Sequence, residues 1–147
     1  MVRRFVLIIV TLAWWSLILY LSGPPGGSDW TRELLARWFG FSGGSLETAN
    51  LVVRKAAHVT YYGVLCGLLS AVLFQFLTCR IRTIVYACVL VLATATLDEW
   101  RQSFTPGRTG VWTDVLYDLL GVAIAAALYF RIAFRAASGR YASNGKQ

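Results

Sequence analysis

The sequence predicts an all-α integral membrane bundle of four transmembrane helices. Three observations carry that prediction. Hydrophobic residues make up 57% of the 147 positions and charged ones 14%, whereas a soluble domain is about a quarter charged. The apolar residues gather into four long runs, each near the length needed to span a bilayer. The charges also segregate between connections. The N-terminus, a turn at Arg80 and Arg82, and the C-terminal tail carry eight Lys or Arg and no acid. The other two connections, with the adjoining span ends, carry six basic residues and all seven acids. By length this is a single domain.

The elements follow in order. Met1 to Arg4 is basic, and Phe5 to Leu21 is apolar or neutral. That resembles the start of a signal peptide, but no small-x-small cleavage site follows and Ser22 leads into Gly-Pro-Pro. The run is read as a retained first span, 5–21. Within the polar connection from Ser22 to Arg54, Trp30, Leu34 and Trp38 recur every four residues with Asp29, Arg32, Glu33 and Arg37 between them. Ser28 or Asp29 is expected to cap a short amphipathic helix there and Gly40 to end it. It lies either at the membrane interface or as a lid on protein. A further helical stretch begins at Ser45 and leads into the second span, 56–79. Arg80 and Arg82 form a short turn. The third span is 83–100, with the polar loop beginning at Asp98 and running to Thr113. The fourth is 114–134, and 135–147 is a basic tail whose last five residues are expected to be disordered.

The positive-inside rule puts both termini in the cytoplasm and the 22–54 and 98–113 connections outside. A net charge of +7 that is not gathered on one soluble face excludes nucleic acid as the partner. Cys66, Cys79 and Cys88 show no metal or disulfide spacing and are read as small core residues. Oligomeric state is not legible.

The candidate site is the stretch Leu97 to Gly121, which holds four of the seven acids between apolar segments. Charge so placed must be paired or wet. The uncharged run between Asp118 and Arg131 is 12 residues, roughly 18 Å of helix in a hydrocarbon core about 30 Å thick. Arginine snorkels; aspartate is too short to do so. Asp118, and Asp98 with it, should therefore face the bundle interior. Helical spacing sets partners at the same depth. Lys55, His58 and Tyr62 stand at i, i+3, i+7. Asp98 and Glu99 share faces with Gln102. Asp114, Asp118 and Gly121 form a third face, with Gly121 and the Ala123–Ala127 run allowing close helix approach. Phe104-Thr-Pro106-Gly107-Arg108 is a tight turn, shaped by Pro106 and Gly107, that aims Arg108 over the helix ends. For Asp98 and Glu99 the plainer alternative is an ion pair with Lys55, Arg54 or Arg101.

The pattern Lys55-x-x-His58-x-x-x-Tyr62, Asp98-Glu99-x-x-Gln102-x-Phe104-x-Pro106-Gly107-Arg108, then Asp114 with Gly121 seven residues on, resembles the VanZ-like family of bacterial membrane proteins. The match runs roughly from residue 54 to 125. One position departs from it: Asp118 stands where the family usually has Asn, bringing a charge that must be balanced locally. The family is named for a member linked to teicoplanin resistance. The resemblance therefore implies a multi-pass protein of the bacterial inner membrane with a cell-envelope role, without fixing a reaction.

Two main readings follow, with structural and transport readings behind them. As a binding protein, the chain would hold a lipid-linked or anionic envelope component at the outer leaflet. Lys55 and Arg108 would meet phosphate or carboxylate, with Tyr62, Gln102, Phe104, Asp114 and Asp118 as further ligand contacts. As an enzyme on such a head group, it would use His58 as acid or base, with Asp98 and Glu99 beside it. One histidine with carboxylates is a weak metal signal, so no metal ligand set is assigned and the cofactor stays open. A purely structural subunit would leave its polar groups mutually satisfied and no cavity. A transporter would want a midplane site, which the clustering at one end does not offer.

Overall fold

A computed structural model describes residues 2–105, 108 and 110–144, with side chains through Ile132 except that of Pro25. Five helices account for nearly all of them: α1 (Val2–Leu21), α2 (Ser28–Phe39), α3 (Gly43–Leu73), α4 (Arg80–Gln102) and α5 (Asp114–Asn144). A single 3₁₀ turn, Pro24–Gly26, links α1 to α2, and there is no strand among the described residues. α1, α3, α4 and α5 are long and apolar enough to cross a membrane.

α3 is the hub. It packs most extensively on α5 and also touches α1, α2 and α4. Each face it meets is a helical stripe. On α4 the buried positions Ile84, Ala87, Val91 and Ala95 recur at three- and four-residue steps and continue into Asp98 and Gln102. The carboxylate is thus buried by the same periodicity that buries the small apolar residues. On α3 the core stripe is Tyr62, Leu65, Cys66 and Ser70, and on α5 Asp118 leads into Val122. Large apolar chains on the outward faces, such as Ile9, Val89, Leu116 and Leu128, stay exposed, as lipid contact demands.

α3 and α5 approach closely at a pair of glycines. A methyl group added at Gly121 would overlap the Val59 carbonyl, and one at Gly63 would sit 3.0 Å from the Gly121 carbonyl oxygen. Of the alanines after Gly121, Ala125 and Ala126 pack against the core, whereas Ala123 and Ala127 are exposed.

Several sequence expectations change. α1 begins at Val2, and the stretch expected from Ser45 starts at Gly43 and runs unbroken into the second span. At 31 residues, that helix is roughly 45 Å long, longer than a hydrocarbon core. It ends at Leu73, not at residue 79. Hydrogen-bonded turns through Leu77 supply the reversal that Arg80 and Arg82 were expected to make; those two lie in the first turn of α4. Six residues, 74–79, thus link α3 to α4 in place of the expected three, 80–82, which is near the short limit for antiparallel helices. Cys79 is consequently exposed at the α4 N-cap instead of in the core, while Cys66 is buried and Cys88 partly so. Neither Ser28 nor Asp29 caps α2: Gly27 holds the N-cap position without a side-chain bond. Gly40 does end α2, in the left-handed region at φ 69°, where glycine carries no steric penalty. α5 continues to Asn144; of the expected disordered end, residues 145–147 lie outside the described residues.

Candidate functional site

The acidic stretch is split between two helices and a loop, and Asp98, Glu99 and Gln102 belong to the last turns of α4 instead of the loop. Asp98 and Glu99 are neighbours in sequence but about 100° apart around the helix, and they enter different environments.

Asp98, 3% exposed, is saturated with donors. Ser22 Oγ (2.8 Å) and the Arg101 Nη2 (2.9 Å) and Nε (3.2 Å) bond to Oδ1. Tyr62 Oη (3.1 Å) and Gln102 Nε2 (2.9 Å) bond to Oδ2. This carboxylate ties α1, α3 and α4 together. Its ion partner is Arg101, one of the partners the sequence offered.

Glu99, Asp114 and Asp118 gather instead around His58. The His58 Nδ1 is 2.9 Å from Asp118 Oδ1. A carboxylate only accepts, so Nδ1 carries the hydrogen. One oxygen of Asp118 is thereby hydrogen-bonded by the imidazole. His58 Nε2 then faces Asp114 Oδ2 at 3.7 Å and Glu99 Oε1 at 3.9 Å. Lys55 pairs with the other oxygen of Asp114 and stands 4.8 Å over the Tyr117 ring. The Val111 backbone N–H donates to Glu99 Oε2 at 2.9 Å. Glu99 Oε1 and Asp118 Oδ2 are buried without a hydrogen-bond partner.

A cavity of about 290 Å³ adjoins this cluster, lined by polar residues His58, Asp98, Gln102, Arg54 and Arg108 and roofed by Trp30 and Leu34 of α2. Arg108 reaches the chain at the end of α1. It donates to the Leu21 carbonyl and, at 3.0 Å, to that of Gly23. Burial, with Arg54 as the next cause, pulls the Arg108 guanidinium below its ordinary value; arginine nonetheless stays charged in proteins. Arg54 has no ion-pair partner among the described residues. A larger apolar groove of about 1120 Å³ along α1, α3 and α5 shares no lining residue with this cavity.

The structure thus brings Lys55, His58, Tyr62, Asp98, Glu99, Gln102, Arg108, Asp114 and Asp118 to one end of the bundle. Phe104 does not join them: it is 72% exposed and stacks edge-on against Trp100. Pro106 and Gly107 lie outside the described residues. Sequence reading missed Ser22, Arg54 as a cavity residue, and the Val111 N–H. Nothing local marks Ser22, and a backbone donor leaves no trace in residue types.

A family model described as VanZ/LLP1 matches residues 6–134. The chain belongs to the VanZ/LLP1 family. With four helices able to cross a membrane, this VanZ/LLP1 chain is a multi-pass membrane protein. No curated protein and no solved structure matches it. The family match reaches into all four apolar helices and includes the whole polar cluster, beyond the residues 54 to 125 that carried the resemblance.

Proposed function

We propose that this VanZ/LLP1 protein binds an anionic, lipid-linked component of the bacterial envelope in the cavity beneath α2. The observation that carries the reading is Arg54, a cation with no ion-pair partner among the described residues, beside Arg108 in the wall of one cavity. Two guanidinium groups close enough to repel invite an anion between them, and phosphate suits their forked donors. Gln102 and His58 in the same wall offer hydrogen bonds to hydroxyl or phosphoryl oxygens. Asp98 acts as a positioning residue, its oxygens already taken.

Charge asymmetry supports the orientation: both termini cytoplasmic, the cavity at the outer leaflet of the inner membrane. α2 then lies along the interface. Its Trp30 and Trp38 are 52% and 75% exposed, while Thr31 and Leu35 are buried against protein, which suits a helix with one face on lipid and one on the bundle. The basic C-terminal end of the chain would remain cytoplasmic. A link to teicoplanin tolerance would follow if the bound component were a precursor of the wall.

A purely structural role is favoured by the ion pairs Arg101–Asp98 and Lys55–Asp114. Against it stand the cavity and the unpartnered oxygens of Glu99 and Asp118. Native mass spectrometry of protein extracted in mild detergent tests the choice. The expected result is an anionic lipid or lipid-linked glycan mass on the original chain that is lost from Arg54→Gln. Absence of any adduct on a folded original chain refutes binding.

A further inference from the structure

The geometry points to a divalent-cation site formed by His58 Nε2, Glu99 Oε1 and Asp114 Oδ2, taking a first-row transition ion such as Mn²⁺ or Zn²⁺. These three atoms lie within 4.8 Å of one another. Such a cluster alone would say little. What singles it out is how every other atom of the same side chains is spent. The neutral imidazole that gives its Nδ1 hydrogen to Asp118 turns an Nε2 lone pair toward two carboxylates. That is an unfavourable arrangement unless a positive charge lies between them. Asp114 gives one oxygen to Lys55 and turns the other inward. Glu99 gives Oε2 to the Val111 N–H. Its Oε1, on a residue only 3% exposed, has no hydrogen-bond partner and points at His58 Nε2.

Each inward atom is therefore oriented by a donor or acceptor behind it, the pattern in which outer partners fix a metal's ligands. The carboxylate behind the imidazole, Asp118, selects the tautomer a metal needs. Charge agrees as well. Three carboxylates against one ammonium leave two negative charges around a neutral imidazole, which a dication cancels. One nitrogen and two oxygens suit Mn²⁺ or Zn²⁺ better than Ca²⁺, which prefers an all-oxygen shell. The three atoms must draw together to reach bond lengths of about 2.0–2.2 Å, and Glu99 has the side-chain reach to do so. His58 also lines the cavity, so an ion here borders the space proposed for the anion. The cation site itself rests only on its own residues and does not require the lipid reading.

The test is titration of the purified full chain in detergent with MnCl₂, followed by electron paramagnetic resonance of the free ion, with ZnCl₂ as competitor. The expected result is uptake of one Mn²⁺ per chain, displaced by Zn²⁺. Glu99→Gln and Asp114→Asn should abolish it. Asp118→Asn, which touches no metal, should weaken affinity by about 10–100-fold. Gly67→Ala, whose added methyl meets nothing, should bind as the original does. If the ligand variants fail to fold, the Asp118→Asn shift still reads the site. A folded original chain that takes up no Mn²⁺ or Zn²⁺ at millimolar concentrations overturns the proposal, as does unchanged affinity in both Glu99→Gln and Asp118→Asn.

Discussion

Three glycine-to-alanine substitutions make a graded test of how the site is held together. At Gly67 an added methyl meets nothing within 4 Å; at Gly63 it sits 3.0 Å from the Gly121 carbonyl oxygen; at Gly121 it overlaps the Val59 carbonyl and comes within 3.0 Å of the Gly63 nitrogen. The obstacles at the last two are backbone atoms and cannot rotate away. At Gly121 the added methyl would lie 2.1 Å from the Val59 oxygen, so restoring ordinary contact of about 3.5 Å requires α3 and α5 to part by about 1.4 Å along that contact. That motion acts directly on the site, since His58 is on α3 and Asp118 on α5. Their 2.9 Å bond would stretch beyond hydrogen-bonding range. Overpacking of this kind costs about 1–3 kcal/mol, roughly 3–10 °C in melting temperature for a chain of this size. Gly67→Ala should instead be neutral or gain about 0.5–1 kcal/mol from helix preference. Thermal unfolding in detergent by intrinsic tryptophan fluorescence reads all three. The expected order of melting temperature is Gly67→Ala highest, then Gly63→Ala, then Gly121→Ala. Equal midpoints for Gly67→Ala and Gly121→Ala would refute the claim that backbone contact sets the α3–α5 distance.

Arg108→Lys keeps the charge but loses the fork that reaches both the Leu21 and Gly23 carbonyls. It should cost about 1.5–3 kcal/mol, read as a lower melting temperature. Tyr62→Phe removes one of five donors to Asp98 and should cost only about 1 kcal/mol; a larger loss would mean the other four do not compensate. The Cys79 thiol is held below its ordinary value chiefly by the backbone N–H of Arg82. A lower value means more thiolate at neutral pH, so its alkylation rate should reach half-maximum at a lower pH than that of a free thiol, with buried Cys66 far slower. In intact cells a membrane-impermeant maleimide should reach Cys79 only after permeabilisation. Labelling without it would invert the proposed orientation.

What could be read from the sequence was whatever helical period alone decides. Lys55, His58 and Tyr62, or Asp114, Asp118 and Gly121, are bound to share a face on any helix that contains them. The acids' burial followed from the short uncharged runs beside them. What could not be read depends on meetings between distant segments. Ser22 and Asp98 are 76 residues apart, and Arg108 and Leu21 are 87 apart; no local pattern in either partner announces the other. Gly63 looked like any glycine in an apolar run until Gly121 was set against it. The end of α3 at Leu73 was also hidden, because Phe74 to Leu77 is as apolar as the helix before it. Only the need for a reversal before α4 shows that those residues must turn.

The division of labour between Asp98 and Glu99 follows from the same physics. One residue of helix rotation sends Asp98 along the Ala87–Val91–Ala95 stripe into five donors, and sends Glu99 toward His58, Asp114 and Asp118. For Asp98 the negative charge is compensated, so Asp98→Asn leaves the Arg101 guanidinium without its counter-ion and sets an NH₂ group against the two or three donors that served the replaced oxygen. A loss of about 2–4 kcal/mol follows. Glu99 gains one backbone bond and crowds two other carboxylates. Glu99→Gln keeps an oxygen for the Val111 N–H and removes a like charge, so metal-free protein should lose less than about 1 kcal/mol or become more stable. Adding Mn²⁺ should then raise the melting temperature of the original chain and not that of Glu99→Gln, because a ligand stabilises only a folded state that it binds. If Glu99→Gln were as damaging as Asp98→Asn in the absence of metal, both acids would be structural, and the unpartnered oxygen of Glu99 would have no work left to explain it.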